Sequence, residues 1–107
     1  MYNIITQAFE QKGKYIVWES GFMPTILFVM GWRLFFYSNE GNEPIHVHCR
    51  KAEKECKYWM DIDNFALEEA YSYNMSNKDK RDVKKIIFEY FEFIEQEWNR
   101  FQKEMKR

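Results

Sequence analysis

The chain contains no run of about 18 consecutive apolar residues, the length a membrane-crossing helix requires. It also lacks the charged, apolar and small-residue order of an export signal. Both absences lead us to expect a cytoplasmic protein. Cysteine is scarce: two residues, Cys49 and Cys56, exclude a disulfide framework and are expected to stay reduced. Histidine is equally scarce, with two. A formal net charge of −1 excludes a sequence-wide pull toward nucleic acid and leaves only a local patch open. No internal repeat and no low-complexity segment is present.

What is there describes one folded domain. At 107 residues the chain is long enough for a core that needs neither metal nor disulfide. The 46% of hydrophobic residues set against 31% charged excludes general disorder. Aromatics reach 20%, so rings must build much of the core and are available for a binding face as well.

Ile4, Ile5, Ala8 and Phe9 have helical spacing, and Gly13 would end that helix; Lys14–Trp18 reads as a short strand. Segments 25–29 and 32–37 read as strands meeting at a tight turn on Met30-Gly31. Segments 45–50 and 55–62 form the better-defined pair. If Arg50 faces Glu55, antiparallel register sets Cys49 against Cys56, His48 against Lys57, Val47 against Tyr58 and His46 against Trp59. One face then carries Val47, Cys49, Cys56, Tyr58 and Met60, which is core material. The other carries His46, His48, Arg50, Glu55, Lys57 and Trp59. Cys49 therefore points away from the histidines, and a Cys49–Cys56 cross-strand disulfide is the minor alternative to two thiols.

Asp63 is expected to cap a short helix over 63–70, and Asn74 to act as a left-handed stop. Ser76-Asn77-Lys78-Asp79 resembles a capping box with Asp in the usual Glu position. From there Val83, Ile86, Ile87, Phe91, Ile94, Trp98 and Phe101 keep a 3-4 spacing, which predicts one helix over 77–105. Such a helix would be about 43 Å long at roughly 1.5 Å per residue. It would overhang a domain whose radius of gyration is about 13 Å. Its end, with Trp98 and Phe101, is foremost core and secondarily a partner interface. The expected fold is α+β: a small antiparallel sheet of four or five strands packed against a long C-terminal helix, with a short helix before it. Residues 1–22 form an extension, a helix plus an edge strand, and 23–107 the single domain.

Both histidines fall in Pro44-Ile45-His46-Val47-His48, two apart, so on a strand both imidazoles line one surface. Three readings compete. A metal could take both histidines with Glu40 or Glu43, but two certain ligands rarely hold zinc. Acid–base chemistry could use His46 and His48 as acid and base, Arg33 or Lys57 against developing charge, and Tyr37 and Trp59 to stack on bases. The plainest reading packs the histidines on Trp59 and hydrogen-bonds them to carbonyls of the 38–44 turn.

Several segments together resemble a known family. Met23-Pro24-Thr25-Ile26, Arg33-Leu34-Phe35-Phe36-Tyr37-Ser38-Asn39-Glu40, Glu43-Pro44-Ile45-His46-Val47-His48, Glu55-Cys56-Lys57-Tyr58-Trp59 and Trp98-Asn99 with Phe101 are similar to motifs of the bacterial domain of unknown function 4160. The resemblance covers roughly residues 23–102. It implies a small α+β protein of toxin–antitoxin type that acts through a small protein partner encoded nearby. RNA and a second copy of the chain are the other partners it leaves open; neither DNA nor membrane is expected, and no cofactor or metal. It marks Arg33, Tyr37, Ser38, Asn39, Glu40, Pro44, His46, His48, Lys57 and Trp59 as the site, without assigning a catalytic role to any. Three departures stand out. Residues 1–22 precede the usual start, so either Met23 is an alternative initiation site or the extension adds a helix and an edge strand that changes the interface. Cys49 and Cys56 replace Val and Ala of the family, and the 51–54 turn lacks its glycines.

Overall fold

The computed structural model describes residues 7–11, 14–18, 25–37 and 42–105, the first two segments as backbone alone. Seven strands form one antiparallel sheet in which spatial order equals chain order. They are β1 (Gln7–Gln11), β2 (Lys14–Trp18), β3 (Thr25–Val29), β4 (Trp32–Phe35), β5 (His46–Lys51), β6 (Lys54–Asp61) and β7 (Ala66–Tyr73). Two helices follow, α1 (Asn77–Glu89) and α2 (Phe91–Met105). The α+β class with C-terminal helices packed on an antiparallel sheet is as expected, but the sheet runs to seven strands.

Two segments join the sheet that sequence spacing had read as helices. Gln7–Gln11 pairs with β2, setting Ala8 against Val17 and Phe9 against Ile16. Four apolar residues in one short run cannot separate the two periods. The expected helix over 63–70 is a turn followed by β7. Here Asp61, not Asp63, organises the chain: its carboxylate accepts from the Asn64 backbone N–H at 3.1 Å and from Asn64 Nδ2 at 2.9 Å. Phe65 then takes a left-handed φ of 50°, and the strand leaves in register, Met60 against Leu67.

The turns between strands 3–4 and 5–6 follow from their residues. Met30 and Gly31 both have positive φ, 53° and 83°, as a two-residue hairpin of type I′ requires. Ala52 takes φ 54° where glycine would be easier, and Lys51 pairs with Lys54 across it. The β5–β6 register is the expected one at every position from Arg50–Glu55 to His46–Trp59.

The capping box at α1 is present: Asp79 N–H donates to Ser76 Oγ and Ser76 N–H to Asp79 Oδ2, both at 3.0 Å. The single long helix is not. It breaks at Tyr90, whose ψ is 23° and whose N–H still reaches the Ile86 carbonyl at 3.1 Å. The apolar stripe crosses the break, with Val83, Ile86 and Ile87 buried on α1 and Phe91, Ile94, Trp98 and Phe101 buried on α2. The stripe packs on the sheet face of Leu27, Val29, Leu34, Val47, Cys49, Cys56, Tyr58 and Met60, all buried. The break is what keeps the last turns on the domain: Trp98 and Phe101 sit 5.1 and 5.7 Å from the Phe36 ring. They are 7% and 6% exposed, so this expected partner interface is interior. No described helix is long and apolar enough to cross a membrane.

Candidate functional site

Directly opposed residues in an antiparallel sheet share a face, and the registers place two rows of side chains side by side opposite the helices. One row runs Thr25, Phe35, His48, Lys57, Tyr71 from β3 to β7. The next runs His46, Trp59, Glu68 over β5 to β7. Alternation along β5 puts both histidines here and Cys49 on the helix side, as expected. Both cysteines are free and buried, and burial pushes the Cys49 thiol pKa well up, with Cys56 adding to it.

The expected polar surface is closed over its centre. His46 is 0% exposed and His48 1%. His46 Nδ1 lies 2.9 Å from the Pro44 carbonyl, which can only accept, so that nitrogen carries the proton. The His46 ring meets Trp59 at 5.3 Å, His48 at 5.2 Å and, from α2, Trp98 at 5.0 Å. His48 stacks on Phe35 at 5.4 Å and meets the Tyr37 ring edge at 4.5 Å.

His48 is also one end of a hydrogen-bonded chain. Tyr71 donates its single hydroxyl proton to Glu55 Oε2 at 2.8 Å, and its oxygen is 3.2 Å from His48 Nδ1. That nitrogen must therefore be the donor. Glu55 closes the chain by accepting from Arg50 Nε at 3.1 Å and Nη2 at 2.5 Å. Partial burial opposes the Glu55 charge, yet the hydrogen bonds from Arg50 and Tyr71 outweigh it and hold the carboxyl below its ordinary range.

Lys57 is 7% exposed. Its ammonium meets Glu43 Oε1 at 2.6 Å and lies 4.3 Å above the Trp59 ring, so the buried charge is matched on two sides. Arg33 donates to Thr25 Oγ1 at 2.6 Å and lies over the Phe35 ring at 4.4 Å, on the ring that also stacks on His48.

The structure thus gathers Arg33, Tyr37, Pro44, His46, His48, Lys57 and Trp59 into one constellation. Ser38, Asn39 and Glu40 lie outside the described residues. No group of three or more His, Cys, Asp or Glu among the described residues is placed to hold a metal ion. Tyr71 is the participant the sequence reading missed, because the segment before it had been read as a helix. Trp98, read foremost as core and secondarily as a partner surface, is buried and packs its ring against His46. Chemically, the arrangement is a buried, ring-lined imidazole pair with a polar route outward through Tyr71, which is 41% exposed.

A family model described as Domain of unknown function (DUF4160) matches residues 31–99. No curated protein and no solved structure gives a match. The matched stretch is well over half the chain and runs from the β3–β4 turn through the histidine strand to the helical residues that enclose it. The chain belongs to the DUF4160 family.

Proposed function

We propose that this chain is one component of a toxin–antitoxin-type pair and acts by binding a protein partner encoded nearby, with β7 as the docking edge. The observation that carries the reading is a contrast in exposure. The histidines are enclosed, whereas β7 ends the sheet with most of its eight residues exposed. An edge strand offers a row of backbone N–H and C=O groups that an extended segment of another protein can pair with. Phe65 and Tyr73, 57% and 65% exposed, stand at its two ends. A groove of about 440 Å³ lined by Ile45, Trp59, Ala66, Leu67 and Glu68 lies at its start. The matching segment carries an apolar residue for the groove and a basic one for Glu68. On this reading the histidines brace the turn before β5 and do no chemistry.

Hydrogen exchange on the complex with the adjacent gene's product is the test. Amides of residues 66–73 should slow on binding. Protection confined to other strands would overturn the docking edge. No complex, with no growth effect from either protein, would overturn the paired role.

A second reading rests on the Tyr71–His48 hydrogen bond, which leaves a buried imidazole one phenol away from solvent. The chain is then a small metal-independent hydrolase or ribonuclease, with His46 and His48 as acid and base and Arg33 or Lys57 opposing developing charge. Growth after induced expression of wild type and of His46→Ala/His48→Ala separates the two. Inhibition lost in a folded double variant supports the chemistry; inhibition that persists removes it.

A further inference from the structure

The outward face of α1 is ordered by charge. Val83, Ile86 and Ile87 are buried against the sheet, so at about 100° per residue the opposite stripe is Arg81, Lys84, Lys85 and Phe88. Its three cations are exposed. Several neighbouring charges are engaged within the chain: Lys78 with Asp82, Lys80 with Glu69, Asp79 with Lys54. Arg81, Lys84 and Lys85 make no ion pair with a described residue. One turn past Phe88 comes Glu92, exposed and likewise without an ion pair among the described residues. At the centre the rings gather: Phe88 meets Phe65 at 5.0 Å and Phe91 at 6.0 Å. Phe65 is 57% exposed and holds a left-handed φ of 50°, which bulky residues rarely take. Retained strain of this kind clusters at functional sites. A groove of about 660 Å³ beside Lys84 and Lys85 and one of about 380 Å³ beside Phe65 and Glu92 share Phe88 as a wall.

We infer that this face pairs with the same face of a second copy of the chain, the two α1 helices running antiparallel across a two-fold axis at Phe88. The charges are self-complementary about that ring. Lys84 stands four residues before Phe88 and Glu92 four after it, about 6 Å of helix on each side. Antiparallel pairing therefore sets Lys84, with Lys85 beside it, against the second copy's Glu92. A two-fold contact repeats each such pair in the opposite direction, so every attraction counts twice. A parallel arrangement would set lysine on lysine and glutamate on glutamate, so the charges select one orientation. The macrodipole favours the same choice. The last turn of α1 has no basic residue of its own, and the second copy's lysines arrive beside it. One helix face is a small interface, so the dimer is weak and sensitive to salt.

This face is not the β7 backbone edge, and its test needs no other gene product, so the two readings fail separately. Sedimentation equilibrium of the full chain at low salt, up to about 1 mM, should show a monomer–dimer equilibrium that weakens as salt is added. Lys84→Glu/Lys85→Glu places like charges against Glu92, and Glu92→Lys places them against the lysines. Either variant alone should dimerise about tenfold more weakly or worse, because each altered contact occurs twice. An equal mixture of the two variants restores opposite charges at both contacts and should recover association between unlike chains. That recovery also shows that both variants are folded. A chain that stays monomeric throughout, a dimer indifferent to either variant, or a mixture that associates no better than its components would each overturn the inference.

Discussion

The middle of the β5–β6 hairpin is buried on both faces, and the two faces are buried by different physics. Toward the helices, Val47, Cys49, Cys56 and Tyr58 lie against an apolar stripe that includes Ile87 and Ile94. Their contacts are many, weak and non-directional, so one neighbour can substitute for another. Away from the helices, His46, His48 and Lys57 are as deeply enclosed, but each has a named polar partner: the Pro44 carbonyl, the Tyr71 hydroxyl and the Glu43 carboxylate. Removing an apolar neighbour leaves a gap; removing a polar partner takes away a directional bond that no apolar neighbour can replace. Equal burial therefore conceals unequal tolerance to substitution.

The largest effect should come from the helix side. Ile87→Ala, at a position 0% exposed, should cost about 3 kcal/mol in urea unfolding, within the range for deleted core methylenes. A loss well below about 1 kcal/mol would mean that the stripe packs loosely there. Next comes a pair of variants on the polar side. Glu43→Gln removes the carboxylate that meets the buried Lys57 ammonium and should cost about 1–2 kcal/mol, the half-exposed carboxylate keeping the figure modest. Lys57→Met removes the buried charge itself and frees Glu43 to solvent, so it should cost less. The reverse order would show that the ammonium holds more than this one ion pair.

Tyr71→Phe should be smaller again, about 1 kcal/mol, because it deletes one hydroxyl that serves both His48 and Glu55. Its NMR signature is specific: the His48 Nδ1 proton should shift, while that of His46 stays in place. The smallest effect is a dependence on acid. Glu55 has its folded pKa depressed, so its contribution is complete above the ordinary carboxylate value of about 4.3 and is lost as pH falls through the lower folded value. Unfolding midpoints followed downward from about pH 5 should fall less steeply for Glu55→Gln than for wild type. Ile87→Ala, which alters only the apolar side, should keep the wild-type slope. If it flattens too, the two faces are coupled and the contrast fails.

Much of the hairpin was legible because its signals are local. An Arg50–Glu55 pair with two turn residues between Lys51 and Lys54 fixes a register, and alternation then assigns every side chain to a face. The Ser76–Asp79 capping box and the Met30-Gly31 turn are legible for the same reason. Exposure is not local. Alternation says which way His46 points, but the covering rings arrive from elsewhere: Phe35 from β4, Tyr37 beyond it, and Trp98 from α2. The break at Tyr90 falls between residues that continue the stripe, with neither proline nor glycine to mark it. β7 was hidden because acidic and aromatic residues over 66–73 keep no clean period, and only pairing with β6 makes them a strand. The site was therefore readable as a set of residues, and its closure was not.

The meander has a consequence for synthesis. Every strand pairs with the one just made, so the sheet can assemble progressively as the chain leaves the ribosome. Among the described elements, its apolar face is covered by α1 and α2, the last of them to emerge. Until about thirty further residues follow β7, the nascent sheet presents an uncovered hydrophobic side and an open edge together, the combination that favours aggregation. The interval between completing β7 and releasing α2 is therefore when the growing chain is most prone to aggregate.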